Sequence, residues 1–365
     1  MRTRAAVMFA PGRLELRELE VADPRPGEVV VRMSAVGVCG TDLHSYKGEW
    51  DRPTPIVLGH EGAGVVEATG AGVEGVREGD RVVLSWAPAC GECGACRRGR
   101  PAACGPLSAA IARGTLLDGS TGLSLDGEAV FRGTATGALA DRVVVAQGAA
   151  MPVGDDVPLD QAALLGCAAL TGVGAVLNAA RPDPGFTALV VGAGGVGQFV
   201  VQGARIAGAA EILAVDPVDA RREQALALGA TRACAPDDVR EVVRELDPEG
   251  VDYAFDAVGA PATTKLALRW TRGGGTTVVV GLPAAGQLLE LDPFEFSSRE
   301  KTLTGTIYGS EDPALALPRL LELVRSGELE LSGLVGPSFP LERADAAFRA
   351  SLAGEPGRVL VTPAA

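Results

Sequence analysis

The stretch TALVVGAGGVGQFVVQGARIAGAAEILAVD, Thr187 to Asp216, constrains the fold of this chain more than any other. A β-branched apolar run, TALVV, leads directly into GAGGVG. The segment Val196–Ala207 reads as a helix, and EILAV is a second strand that ends at Asp216. A strand, a crossover helix and a strand make a parallel pair. Gly192, Gly194 and Gly197, with Gly195 and Val196 between them, fit G-x-G-x-x-G. Such glycines permit a tight turn and close backbone approach. The helix N-terminus offers N–H groups and a positive dipole end to a pyrophosphate. The pattern is weak alone, but after a strand and before a helix it indicates a dinucleotide site. Asp216 is expected to accept from the ribose hydroxyls and to repel a 2′-phosphate, which favours NAD over NADP. Arg221 and Arg222 follow closely and could shelter a phosphate, so Arg221 joins the candidate cofactor residues.

The same alternation continues. ARREQALALGA reads as a helix ended by Gly229, and YAFDAVG, TTVVVGLP and KTLTGTIYG supply further strands. This predicts a parallel sheet with helices on both faces. After Gly309 come a helix (Pro313–Ser326), a second helix (Leu341–Leu352) and a last strand, RVLV. From Leu14 to about Val145 the style differs. LELRELEV, VVVRMSAV, PIVLGHEGAGVVEATG and DRVVLSW read as short glycine-punctuated strands of a β-rich, barrel-like domain. The 365-residue length also suggests two domains.

CGECGACRRGRPAAC, Cys90 to Cys104, has the spacing Cys-x2-Cys-x2-Cys-x7-Cys, holding Cys90, Cys93, Cys96 and Cys104. Four thiolates at about 2.3 Å make a closed tetrahedral zinc site, which is structural because no position remains for water or substrate. Arg97, Arg98 and Arg100 could offset its excess negative charge. A disulfide framework, a redox Cys-x-x-Cys and an iron–sulfur cluster are the competing readings.

Net charge of −13 argues against a nucleic-acid footprint and against attraction to anionic membrane. Met1–Glu20 does not read as a signal peptide, since AAVMFA is short and runs into Pro11 and Gly12. The longest apolar candidate for a membrane span, Leu189–Val215, is broken by glycines and Arg205. A cytoplasmic protein with reduced thiols is expected.

Hydride transfer to NAD needs an alcohol made acidic, which a zinc ion with an open position and about three protein ligands achieves. The chain has two histidines, His44 and His60, and outside the loop three cysteines, Cys39, Cys167 and Cys234. GVCGTDLH (37–44), GHEGAGVVEATG (59–70), the four-cysteine loop, GCAALTG (166–172) and GAGGVG (192–197) together resemble the zinc-dependent medium-chain alcohol dehydrogenases, in the order of that family's motifs. The resemblance covers essentially the whole chain. Gly114–Val145, with its hairpin-like text, looks like the longer liver-type branch, which is typically dimeric.

The resemblance implies an α/β plus β fold: a GroES-like β-barrel catalytic domain (1–168 and 309–365) and a Rossmann doubly wound coenzyme domain (169–308). It implies two zinc ions per subunit, with Cys39, His60 and Cys167 holding the catalytic one. Glu61 would be a nearby carboxylate, and Asp42 would fix the tautomer of His60. Thr41 would take the substrate hydroxyl proton and His44 would pass it to solvent. Arg358 looks like the family's arginine that pairs with the pyrophosphate. Trp50 and Trp86 fall at pocket-wall positions. Cys234 reads as packing. Gly40 stands where the branch often carries a basic residue. Ser108 stands where the glutathione-using branch carries an arginine, which counts against that substrate. The reaction implied is reversible oxidation of a primary alcohol, benzylic or aliphatic. A thiol-adduct dehydrogenase, a polyol dehydrogenase and a non-catalytic NAD-binding relative are the rivals.

Overall fold

A computed structural model describes residues 1–363. The chain divides into two compact units. One comprises Met1–Cys167, Asp312–Glu322 and the chain from Leu331 onward; the other comprises Ala168–Glu311 and Leu323–Glu330.

The first unit is built on two sheets. In one, the strands run in the order Glu128–Ala129, Leu123–Leu125, Arg13–Val21, Arg2–Ala10, Ile56–Val57 and Phe131–Arg132. In the other, the order is Ala150–Pro152, Arg81–Leu84, Glu61–Thr69, Glu28–Gly37, Arg358–Thr362 and Val335–Pro340, with Arg142–Ala146 also pairing to Glu28–Gly37. LELRELEV forms a strand of the first of these sheets as predicted: Leu19 and Val21 are buried in alternation with exposed Glu18 and Glu20, and Leu14 is buried nearer the strand's start. The inward residues Val7, Met8, Val29, Val31, Met33, Leu58 and Val66 join one core, closed by Phe348 on the helix Ala344–Leu352. Leu123–Leu125 and Glu128–Ala129 form the antiparallel hairpin expected within Gly114–Val145.

The second unit has one sheet of six strands, all parallel: Arg232–Cys234, Glu211–Val215, Thr187–Val191, Val251–Asp256, Thr271–Val279 and Thr302–Gly305. TALVV and EILAV occupy the predicted positions, and the helix between them is Gly195–Ile206. The reversal of strand order lies beside Thr187–Val191, where doubly wound sheets bind ligands at the carboxyl ends of their strands.

Leu189–Val215, expected as the longest apolar stretch, is divided into strand, loop, helix and strand. The run that is long and apolar enough to cross a membrane is instead Leu159–Ala180, of 22 residues, and 78% of its apolar window is buried inside the protein. The leucines, alanines and glycines of this continuous helical run give it a mean hydropathy of 1.8, and most of that apolar surface faces the protein's own interior.

Candidate active site and metal centres

Three elements of the first unit bring Cys39, His60 and Cys167 together. Cys39 precedes the helix Gly40–Tyr46, His60 precedes the strand Glu61–Thr69, and Cys167 lies in the π-helical turn Leu165–Ala169. Wide turns of this kind recur at functional sites because they re-aim one side chain. The backbone at Gly59 has φ +90, and a Cβ there would stand 2.9 Å from Leu139 Cγ, so only glycine turns the chain sharply enough before His60.

The three donor atoms lie within 4.8 Å of one another and all three residues are buried. Cys167 Sγ is 3.5 Å from His60 Nε2. On the far side of the ring, Asp42 Oδ2 is 3.1 Å from Nδ1, and Asp42 Oδ1 accepts from the Gly59 backbone N–H at 3.0 Å. Asp42 therefore fixes which nitrogen carries the proton and leaves Nε2 to face the thiols.

Charge argues that this cluster wants a cation. Burial opposes protonation of His60, but the Asp42 carboxylate and the Cys39 thiolate outweigh it and raise its pKa well above the usual value. The Cys167 thiol, sharing a hydrogen bond with Cys39, holds Cys39 low while Cys39 holds Cys167 high. Two soft sulfurs and one imidazole that compete for protons in a dry site are the donor set of an open-position zinc ion, which would displace those protons.

Glu61 and Arg358 complete the surroundings. Arg358 Nε donates to Glu61 Oε1 at 2.6 Å and Nη2 to Oε2 at 2.7 Å, while Nη1 reaches the Val38 carbonyl at 3.2 Å. Burial pushes the Glu61 carboxyl up and Arg358 pulls against it; the balance remains raised. Read from the sequence alone, these two residues have separate roles. Their pairing was not legible because 297 positions separate them, and only the register of Arg358–Thr362 against Glu28–Gly37 brings them side by side.

Thr41 and His44 lie on the helix Gly40–Tyr46. His44 stacks on Trp50, with ring centroids 4.9 Å apart and an 18° tilt, and Arg52 lies 5.2 Å from the Trp50 ring. Trp86 is buried just beyond the strand Arg81–Leu84.

The four-cysteine loop carries a second donor cluster. Four sulfurs at about 2.3 Å from one ion stand about 3.8 Å apart. Here the Cys90–Cys96, Cys93–Cys96 and Cys104–Cys90 sulfur separations are 3.9, 3.5 and 3.5 Å. All seven cysteines are unbridged. Backbone N–H groups, that of Cys96 first, help hold the Cys93 thiol down at about 6. The tetrahedral spacing without bridges fits zinc.

In the second unit the glycine loop has the steric features of a phosphate cradle. A Cβ at Gly197 would stand 1.8 Å from the Gly192 carbonyl oxygen, so the helix packs directly on the loop. A Cβ at Gly194 would meet nothing within 4 Å, which leaves room above the N-terminus of Gly195–Ile206. Asp216 is buried; Oδ2 accepts from the Ala193 N–H and Oδ1 from the Val218 N–H, both at 2.9 Å. Arg221 Nη1 lies 3.9 Å from Asp216 Oδ2. Arg222 is tied to the Asp216 carbonyl and to the Asp219 side chain.

Comparison with known proteins agrees with this layout. Residues 25–157 match the alcohol dehydrogenase GroES-like domain and residues 195–325 the zinc-binding dehydrogenase domain. An S-(hydroxymethyl)glutathione dehydrogenase of Synechocystis sp. is 36% identical over 95% of this chain and 96% of its own. The chain belongs to the zinc-dependent medium-chain alcohol dehydrogenase family. Among solved structures, an alcohol dehydrogenase zinc-binding domain protein from Burkholderia ambifaria is 36% identical with a TM-score of 0.93, covering 99% of each chain. Benzyl alcohol dehydrogenase from Acinetobacter calcoaceticus is 31% identical, also with a TM-score of 0.93, covering both chains fully. As a member of this family the chain is an oxidoreductase acting on CH–OH groups, with a GroES-like domain and a Rossmann-type domain.

Proposed function

We propose that the protein interconverts a primary alcohol, benzylic or aliphatic, and its aldehyde with NAD. The observation that carries this reading is the buried Cys39–His60–Cys167 cluster with Asp42 behind His60. Zinc held by these three residues would acidify the alcohol hydroxyl. The pyrophosphate of NAD would rest on the loop Gly192–Gly197 (Gly192, Gly194, Gly195, Val196 and Gly197), with Asp216 toward the adenosine ribose. Asp216 favours NAD because its oxygens keep acceptor capacity beyond the two backbone N–H groups they take, and because Arg222, already tied down, offers a 2′-phosphate little. Arg221 sits beside Asp216 and so counters its charge in part. Three of the five N–H donors of Arg358 are committed, and the others are assigned to the pyrophosphate.

Thr41 takes the substrate proton and His44 delivers it to solvent. Glu61, gripped by Arg358, is assigned to ligand exchange at the metal. Trp50 and Trp86 are assigned to the substrate wall, and the four-cysteine loop to structural zinc. We place the enzyme in the cytoplasm, which its unbridged cysteines favour, and as a homodimer. Exposed Leu288 and Phe294 and the edge strand Thr302–Gly305 support the dimer.

The Synechocystis relative favours a second reading, oxidation of a glutathione–formaldehyde adduct. Nicotinamide absorbance on zinc-replete protein separates the two. The panel holds benzylic, aliphatic and polyol alcohols with NAD or NADP, and formaldehyde with and without glutathione. A signal with NAD and simple alcohols is expected. A signal confined to formaldehyde plus thiol transfers the protein to the adduct reading.

A further inference from the structure

The segment HSYKGEW, His44 to Trp50, folds back on itself. The helix Gly40–Tyr46 ends at Lys47, and Gly48, at φ +73, reverses the chain. The Glu49 N–H then donates to the His44 carbonyl at 2.9 Å, with that of Trp50 at 3.4 Å from the same oxygen. This short return lays two side chains against the His44 ring. Trp50 stacks on its face, and Glu49 Oε2 lies 2.5 Å from Nδ1. The other carboxylate oxygen, Oε1, is 2.6 Å from Lys47 Nζ. Hydrogen bonds from Lys47 first and His44 second hold the Glu49 carboxyl below the usual range, so it is ionised at neutral pH.

An ionised carboxylate only accepts. The proton between the two groups must therefore sit on Nδ1, which leaves the lone pair on Nε2. Free imidazole prefers the opposite tautomer, with the proton on Nε2, which cannot receive another there. We propose that Glu49 is a positioning residue for proton exit: by accepting Nδ1–H it keeps His44 Nε2 as an acceptor and steadies the imidazolium formed in transit. The inference rests on His44 being the outlet of the relay. The proton balance closes. The proton that leaves the alcohol arrives at Nε2 and passes from Nε2 to water, while the other proton stays on Nδ1, donated to the Glu49 carboxylate throughout. Trp50 fixes the ring plane, Lys47 pairs with Glu49, and Arg52 lies over the Trp50 ring.

The test uses the whole zinc-loaded chain labelled with 15N-histidine, which contains only His44 and His60. Long-range 1H–15N correlation spectra report the tautomer of each ring without turnover. His44 is expected in the Nδ1–H form, shifting toward Nε2–H in Glu49→Ala. In the same variant kcat falls about tenfold while KM moves little. Glu49→Gln, which keeps an acceptor oxygen without the charge, retains the tautomer and loses less activity. Lys47→Ala changes neither. A Glu49→Ala protein that keeps the Nδ1–H form, or that changes tautomer at full kcat, overturns the proposal. His44→Ala separates the two levels: full activity there sinks the relay reading, and the kinetic part of this inference with it, whatever the tautomer shows.

Discussion

The Arg358 guanidinium and the Glu61 carboxylate bury two full charges with side-chain exposures of 8% and 0%. Such a pair is weak as a source of stability but costly to break from one side, because the remaining charge is left in a dry site. Arg358→Ala is expected to destabilise the protein by about 3–5 kcal/mol, read from the midpoint of urea unfolding of zinc-loaded protein. Asp42→Asn acts differently. It keeps an oxygen for the Gly59 N–H but removes the charge behind His60 Nδ1, so zinc affinity should fall about 10–100-fold. Competition with a chromophoric chelator measures this, and unchanged affinity would mean that Asp42 serves only the Gly59 turn. Cys234 is the contrasting thiol. Burial, with Asp238 adding to it, pushes it up to about 11, so after both metal clusters are stripped it should react with iodoacetamide at pH 8 far more slowly than Cys93, which is held at about 6. At this scale the metal donors were legible because cysteine and histidine are rare and their motifs are local. Glu49 was not: it is an ordinary acidic residue until the turn at Gly48 brings it to His44.

The four-cysteine loop contains little that could fold alone. Its helix, Gly94–Arg97, has four residues and no buried side chain, and the turn Pro101–Ala103 buries only Pro101. A bound ion must therefore replace the missing core. Cys93→Ser should lower zinc content from two ions to one and open the loop to proteolysis near Arg97–Arg100, with the Cys39 site still loaded. Metal analysis and peptide mapping check both halves; loss of both ions together would show that the sites are not independent. The glycine loop is held by packing instead. Gly197→Ala has nowhere to place its methyl, since the Gly192 carbonyl is in the way, so dinucleotide binding should be lost in calorimetry. Elements of this kind were legible where periodicity and glycine punctuation agreed, as in Thr187–Val215. Helix Val239–Leu246 and the π turn at Leu165–Ala169 were not anticipated. The first is short and highly charged, and the second departs from α geometry through tertiary packing that leaves no pattern in the sequence.

For the whole molecule, the sequence conveyed two architectures well because they use different periods: alternation in the β-rich unit, and apolar runs with crossover helices in the parallel one. Assembly is another matter, since surface residues obey neither period. Leu288 and Phe294 are 83% and 71% exposed, although apolar side chains of that size are normally covered. Close by in the sequence, Thr302–Gly305 ends the parallel sheet and, among the described residues, pairs on one side, with Thr271–Val279. An open edge with neighbouring apolar residues invites a second strand. With −13 on each chain, two copies repel at long range, so a dimer must be held by apolar burial and edge pairing, and added salt should tighten it. The double variant Leu288→Glu, Phe294→Glu is expected to loosen the proposed dimer about 100-fold or more, read by sedimentation at two salt concentrations. An equally tight dimer in that variant would exclude this face, and a wild-type protein that sediments as a monomer would overturn the proposed dimer.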